Sequence, residues 1–399
     1  MPSTRPVPFP GSSTPGPLRV LIVGGGVAGL TLAALLRRQG REPTVVERAD
    51  EEGEEGGYML GLYYLGSRIL HGLGVFPDFV DRSVPMRRYE VRNGRGSLVH
   101  GYDLDEMTRR VGPVRGISRT ALIRLLREAL GGLGVRNGTE VVSLGDAGDV
   151  VHAVFSDGTE QDYDLVVGAD GLHSSVREMI LDGDEYAYWE TGWGGWVCWA
   201  DPALAPSDTY IECWGTGRFV GLYPARDRLG VFLGGPTEKL KDRGPADLLR
   251  QVVSELDTDV AGPVEAVLDH LEPSPDAFFW DLHDCRTKSW RKGRIGLLGD
   301  AATGFLPTAG IGASMAMESA AALADELSRV GPTWVERALD LFEDRHRERV
   351  ESAQQSSRDM GRMMFVESTP LAWGRDQLVK HYSLERLIES IATMMDHPI

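Results

Sequence analysis

An α/β fold with an inserted β-sheet domain is predicted by three observations. An apolar strand near the start of the chain runs into a glycine loop and a helix, and two later apolar strands end in glycine–acid pairs. Between those two strands lies a long insertion of aromatic β segments.

The first element is Arg19-Val20-Leu21-Ile22-Val23, followed by Gly24-Gly25-Gly26-Val27-Ala28-Gly29. In a chain with 49 glycines a GxGxxG spacing alone says little, so its context decides. Here the loop follows β-favouring apolar residues and opens an amphipathic helix (Leu30, Leu32, Ala33, Leu35, Leu36) to about Gln39, closed by Gly40. A second strand then ends in Glu47, about eighteen residues after Gly29. This is the full dinucleotide fingerprint of a Rossmann-like unit. Gly24 permits the tight turn, Gly26 lets backbone approach a pyrophosphate, and Gly29 allows close packing of helix on strand. Val27 and Ala28 open the helix, whose free N–H groups and positive dipole end suit phosphate. Glu47 is suited to accept hydrogen bonds from a ribose diol.

The length of 399 residues allows two to three domains, and 42% hydrophobic content is ample for buried cores. No apolar run approaches the roughly 18 residues needed to span a bilayer. Residues 1–17, with six prolines, lack the basic and apolar regions of a signal peptide and read as a flexible tail. The expectation is a soluble, cytoplasmic protein, monomer or homodimer. Cys198, Cys213 and Cys285 have no metal-ligand spacing and form no disulfide framework, so core thiols and no metal site are expected. A net charge of −17, with the local run Asp50-Glu51-Glu52-Gly53-Glu54-Glu55, argues against nucleic acid or anionic membrane as partner. No lysine precedes Lys239, which excludes a P-loop or Schiff-base lysine from the first half.

Val114 to Thr120 read as a short strand entering an amphipathic helix (Ala121, Leu122, Leu125, Leu126). Hairpin signals follow from 139 to 167, with turns at Gly145-Asp146 and Asp157-Gly158, and end in Val166-Val167-Gly168-Ala169-Asp170-Gly171. From about 183 to 282 the texture becomes aromatic: Gly192 to Trp199, Tyr210 to Trp214, Arg218 to Pro224 and Leu229 to Gly234. Seven of the nine tryptophans lie between Trp189 and Trp290. A mostly antiparallel sheet with one broad apolar face follows from that pattern. The buried-strand pattern returns at Arg294-Ile295-Gly296-Leu297-Leu298-Gly299-Asp300, then a small-residue helix from Gly312 to Leu327. After Pro332 the chain reads as helical to its end.

The third segment, Gly299-Asp300-Ala301-Ala302-Thr303-Gly304-Phe305-Leu306-Pro307-Thr308-Ala309-Gly310-Ile311-Gly312-Ala313, ends a buried strand and precedes a helix. An Asp at a strand end can bind a ribityl hydroxyl, and the Gly310-Ile311-Gly312 turn presents backbone donors where a ring could accumulate negative charge. The trio resembles the group A, p-hydroxybenzoate hydroxylase-type, single-component FAD-dependent monooxygenases, over nearly the whole chain after the tail. Gly24, Gly26, Gly29, Glu47 and Arg48 match that family's first motif, Asp170 and Gly171 its middle motif, and Gly299, Asp300 and Pro307 its third. Arg119, within Ser118-Arg119-Thr120-Ala121-Leu122, matches an arginine used near the FAD phosphates. The chain departs from common members at Thr303, Ile311 and Ser314, where His, Gln and Asn are frequent; backbone donors survive such changes.

The resemblance implies a Rossmann-like FAD-binding domain, an inserted mixed or antiparallel β-sheet substrate domain, and C-terminal helices. Expected boundaries are 18–75, 101–182 and 283–330 for the FAD domain, 76–100 and 183–282 for the substrate domain, and 331–399 for the helices. It implies FAD as cofactor, NAD(P)H and O2 as co-substrates, and a flavin C4a-hydroperoxide that hydroxylates or epoxidises an aromatic or polycyclic small molecule. Halogenase, isoprenoid reductase and non-enzymatic redox sensor are the competing readings of the same loops; a halogenase would want an early lysine that this chain lacks. No catalytic acid or base stands out. Tyr58, Tyr63, Tyr64, Tyr223 and His283 are candidates, each more simply read as packing, since a tyrosine near pKa 10 is a poor base. The adjacent Arg87 and Arg88 read as solvated surface rather than as an anchor for an acidic substrate.

Overall fold

The structure is a computed structural model that describes residues 18–50, 57–244, 247, 250, 251, 254 and 277–381. The expected tail, residues 51–55 of the acidic run and the chain beyond 381 lie outside the described residues.

The runs Val20–Val23, Leu165–Gly168 and Ile295–Leu297 are buried at every position. Strands apolar on both faces suit the centre of a parallel sheet covered on both sides. They form the middle of a six-stranded sheet in the order Arg291–Lys292, Ile295–Leu297, Leu165–Gly168, Val20–Val23, Thr44–Val46, Val135–Arg136. All neighbours are parallel except the Arg291–Lys292 hairpin at one edge. The helix Val27–Arg38 and the alanine-rich helix Gly312–Ser328 pack against each other. The three glycine–acid turns lie at the C-terminal ends of the three central strands, so parallel pairing alone brings residues 24, 170 and 299 to one sheet edge. The hairpin region forms its own small sheet (Val141–Asp146, Val151–Phe155, Glu160–Tyr163), with its first turn just after Gly145-Asp146.

The aromatic region builds an eight-stranded sheet in the order Thr303–Gly304, Phe278–Thr287, Tyr186–Ala200, Leu229–Pro236, Phe219–Pro224, Thr209–Trp214, Arg88–Asn93, Leu98–Asp103. Pairing is antiparallel except between Thr209–Trp214 and Arg88–Asn93. Two expected boundaries need correction. The break at 100/101 falls inside Leu98–Asp103, and that at 282/283 falls inside Phe278–Thr287, a single strand that belongs to the eight-stranded sheet along its whole length. Leu98–Asp103 is an edge strand with mostly half-exposed positions, so it lacks the apolar alternation that marks a strand in sequence.

Alternation sorts the sheet's two faces. Ile211, Cys213, Val220, Leu222, Val231 and Leu233 form one compact cluster on one face. Trp214, Phe219 and Phe232 belong to a second cluster on the opposite face, packed with Tyr210 and Tyr223 and with Met360 and Met364 of the 30-residue helix Val335–Met364.

That helix is tied to Gly312–Ser328 by a buried charge. Glu318, whose side chain has 0% exposure, accepts from Arg68 at 2.7 Å and from Arg349 at 2.8 and 3.0 Å. Burial pushes its carboxyl up while the two arginines pull it down. Removing one partner of a buried ion pair costs about 3–5 kcal/mol. Because Arg68 and Arg349 keep some solvent contact, Glu318→Ala is expected at the lower end, about 3 kcal/mol, measured as loss of unfolding free energy in denaturant.

Candidate functional site

A cavity of about 500 Å³ runs from the glycine turns to the inner face of the eight-stranded sheet. Its wall at one end carries Gly26, Val27, Ala28, Arg119, Gly171 and Asp300. Pro307, Gly310, Gly312 and Ala313 continue that wall. The other end is aromatic and aliphatic, with Tyr210, Tyr223, Phe219, Phe232 and Met364 among its residues.

The remaining expected residues support this wall from behind. Gly24 has φ +116° and a Cβ there would stand 2.4 Å from the Ala169 carbonyl oxygen; a Cβ on Gly29 would stand 2.1 Å from that of Gly24. Both close approaches need glycine. Gly26 differs: a Cβ there meets nothing within 4 Å, because it faces the cavity. Ile311 and Ala301 turn buried side chains into the core. Glu47 accepts from Gly25 N–H at 2.6 Å and from Ala49 N–H at 2.9 Å, which holds the loop's conformation. Arg48 is exposed and Gly299 (φ +61°) packs behind the cavity, against Ala28.

Asp170 is not among the residues that line the cavity. Its carboxylate accepts from Ser174 Oγ at 2.5 Å, Ser175 Oγ at 3.2 Å and Val176 N–H at 3.1 Å, at the start of the helix Ser175–Ile180, whose N-cap is Ser174. The adjacent Gly171 and His173 reach the cavity instead. Burial, His283 and Arg177, with Arg48 beyond them, hold the His173 imidazolium pKa below its usual value.

Several features fit an FAD. The helices Val27–Arg38 and Gly312–Ser328 both reach the cavity with their first turns, and neither has a side-chain N-cap. Two helix N-termini open to one cavity form a place for phosphate and for an anionic ring edge. The Asp300 carboxylate lies in the same wall with no hydrogen-bond donor among the described residues, and burial pushes it up to about 6 while Arg119 opposes that rise. An orphaned acceptor of this kind matches a ligand hydroxyl. Ser118 caps the helix Arg119–Ala129 by accepting from Ala121 N–H at 3.2 Å, which fixes Arg119 at the helix start. The turn Pro307–Ala309 is held by Tyr63, whose hydroxyl donates to the Ala309 carbonyl at 3.1 Å and whose N–H donates to Ser314 Oγ at 3.1 Å.

The candidate acid–base residues sort differently. Tyr58 and Tyr63 line the cavity, but burial pushes Tyr63 up to about 12 and its hydroxyl is engaged. Tyr223 lines it too, its hydroxyl donating to Glu212 Oε1 at 2.8 Å, with burial and that carboxylate raising it well above 10. Tyr64 packs away from the cavity beside Gly112. His283 is not among the residues that line the cavity; its ring lies 5.1 Å from that of His173, which is. Arg87 and Arg88 are exposed, Arg88 paired with Glu90.

The residue that sequence reasoning missed is Glu212. It is 6% exposed and lines the cavity, and its carboxylate accepts from Tyr89 Oη at 2.6 Å, Trp214 Nε1 at 2.9 Å and Tyr223 Oη at 2.8 Å. The signal was a single acid between Tyr210 and Trp214 on the same face of a strand.

The fold and this cavity define an α/β flavoprotein in which a dinucleotide-binding sheet faces a separate, aromatic substrate sheet. The chain belongs to the FAD binding domain family, matched over residues 17–357, and its relatives are group A flavin-dependent monooxygenases. The 2-heptyl-3-hydroxy-4(1H)-quinolone synthase of Pseudomonas aeruginosa (strain UCBPP-PA14) is 31% identical over 378 residues, covering 91% of this chain and 94% of its own. The 3-amino-4-hydroxybenzoate 2-monooxygenase of Streptomyces cremeus is 29% identical over 381 residues, 91% of this chain and 92% of its own. The crystal structure of Klebsiella pneumoniae HpxO complexed with FAD and uric acid has a TM-score of 0.81 at 26% identity, covering 95% of this chain and 96% of that one. The protein is thus a flavin-dependent monooxygenase, an oxidoreductase with FAD as cofactor. Among the described residues no helix is long and apolar enough to cross a membrane.

Proposed function

We propose that this monooxygenase uses NAD(P)H and O2 to hydroxylate or epoxidise an aromatic or polycyclic small molecule. NAD(P)H supplies two electrons, one oxygen atom enters the substrate and the other leaves as water. The observation that carries the reading is the continuity of one cavity from the uncapped helix ends to the aromatic sheet. Of the relatives named above, one is a hydroxyquinolone synthase and one an aminohydroxybenzoate monooxygenase, and a solved relative holds uric acid.

Bound FAD supplies the redox chemistry and the activation of O2. The chain's residues would bind and orient it: Gly26, Val27 and Ala28 would take the pyrophosphate, Glu47 and Arg48 would serve the adenosine half and Arg119 the phosphates. Asp300 would accept from a ribityl hydroxyl, and the N–H groups at Gly312 and Ala313 would stabilise the negative charge gained on reduction. Pro307 would pack against the ring. Leu306, Met360, Met364 and Phe365 exclude water from the far end of the cavity, which suppresses unproductive release of peroxide. Tyr63 and Tyr223, with hydroxyls engaged and acidity suppressed, serve as structural donors and not as proton carriers.

The test is the visible spectrum of the purified protein, followed by O2 uptake and NAD(P)H oxidation in a screen of aromatic ligands. A yellow protein whose NAD(P)H oxidation and O2 uptake rise together with an oxygenated product supports the proposal. Product formation without O2 uptake indicates a reductase, halide-dependent product a halogenase, and flavin without turnover a sensor; each of these overturns it.

A further inference from the structure

The end of the cavity away from the cofactor loops contains a single ionisable group that is an acid, Glu212. Among the described lining residues the one arginine is Arg119, on the cofactor wall, and there is no lysine. A carboxylate buried in apolar surroundings without a cation has to be stabilised by hydrogen-bond donors. Glu212 has three, all neutral, and they are unevenly shared. Oε2 accepts from both Tyr89 and Trp214, whereas Oε1 accepts only from Tyr223. A carboxylate oxygen accepts two hydrogen bonds, so Oε1 keeps one acceptor position.

The surrounding geometry makes this arrangement rigid. Tyr210, Glu212 and Trp214 alternate onto the cavity face of one strand, while Ile211 and Cys213 pack on the other face. The Tyr223 ring lies so close over Gly221 that a Cβ there would stand 2.2 Å from it. Tyr89, from the neighbouring parallel strand, stacks on Tyr102 with ring centroids 5.8 Å apart. An acceptor held this way discriminates among ligands, because a ligand lacking a donor leaves it unsatisfied and an anionic ligand is repelled.

We infer that Glu212 sets substrate specificity, accepting through Oε1 a hydrogen bond from a ring-attached N–H or O–H of an uncharged aromatic substrate and rejecting aromatic carboxylates. This rests on the monooxygenase reading above, but it is tested by binding alone, so the two can fail separately. The far end of the cavity sorts substrates by donor chemistry, and the flavin end does not take part in that choice.

The experiment is calorimetric titration of the FAD-loaded enzyme with matched probes: 1-naphthol against 1-methoxynaphthalene, indole against 1-methylindole, and 1-naphthoate. Expected affinities are about 10-fold or more in favour of each donor over its methylated partner, with 1-naphthoate weakest. In Glu212→Gln the donor advantage shrinks to under about 3-fold while the methylated probes keep their affinity, because the amide is a weaker acceptor of the same shape. In Tyr223→Phe, which removes a competing donor from Oε1, the advantage persists. The naphthol and indole pairs separate O–H from N–H recognition. Equal affinity within both pairs, tight binding of 1-naphthoate, no binding of any probe, or a parallel loss for all probes in Glu212→Gln would each overturn the inference. The last outcome would mean that Glu212 only clamps the tyrosines. Failure of NAD(P)H oxidation with intact donor preference would instead count against the monooxygenase chemistry alone.

Discussion

Gly26→Val yields a folded but colourless protein. A Cβ at Gly26 touches no protein atom within 4 Å and projects where the pyrophosphate approaches, and the residue's extended backbone (φ −81°, ψ −173°) suits a β-branched side chain. The apoprotein therefore keeps its stability, while FAD affinity falls by at least about 100-fold, since displacing the diphosphate forfeits several charge-assisted hydrogen bonds of about 1.5–3 kcal/mol each. Gly29→Ala serves as the contrast. Its Cβ would stand 2.1 Å from the backbone oxygen of Gly24, so it destabilises the apoprotein by about 1–3 kcal/mol or more whether or not FAD is present. Thermal melts of both apoproteins and flavin fluorescence titrations separate the two effects. Retained yellow colour in Gly26→Val removes the pyrophosphate from this turn.

Asp300→Ala carries the second large effect. An ionised acceptor of a ligand hydroxyl contributes about 1.5–3 kcal/mol, so FAD affinity is expected to fall about 10- to 100-fold. The raised pKa adds a pH signature. In the apoprotein burial pushes the Asp300 carboxyl up to about 6, above the 3.8 of an unburied aspartate. A group whose folded value is raised contributes stability that is fully present below about pH 4 and is lost as pH rises through about 6. A hydroxyl donor from FAD favours the ionised form, so FAD offsets that loss and binds more tightly above pH 6 than below it. The rise in melting temperature on adding FAD should accordingly be larger at pH 7.5 than at pH 5. In Asp300→Asn the contribution of this group to that difference disappears. Equal FAD affinity in wild type and Asp300→Ala would place the ribityl chain elsewhere.

The cofactor half was legible because its signals are local. Gly29 is demanded within one strand–turn–helix unit, where a Cβ would stand 2.1 Å from the Gly24 carbonyl oxygen, Gly24 has a positive φ of its own, and Ser118 caps its own helix three residues on. The hydrogen bonds of Asp170 are local as well: Ser174 and Ser175 in the next turn donate their hydroxyls to its carboxylate. His173 reaches the cavity and His283 does not, although their rings lie 5.1 Å apart, and no spacing along the chain encodes that difference.

Sequence by itself determined the α/β class, the three glycine turns at the ends of the central strands and the aromatic character of the inserted sheet. These follow from residue-by-residue rules of backbone conformation and apolar periodicity, which act over a few neighbours. Tertiary structure decided the rest: that Leu98–Asp103 completes the substrate sheet, and that Tyr89, Tyr223 and Trp214 converge on Glu212. Tyr89 and Glu212 lie 123 residues apart, and only the parallel pairing of their strands brings a hydroxyl to that carboxylate. Burial then makes Glu212, one of 59 Asp and Glu residues, the carboxylate of the cavity's aromatic end.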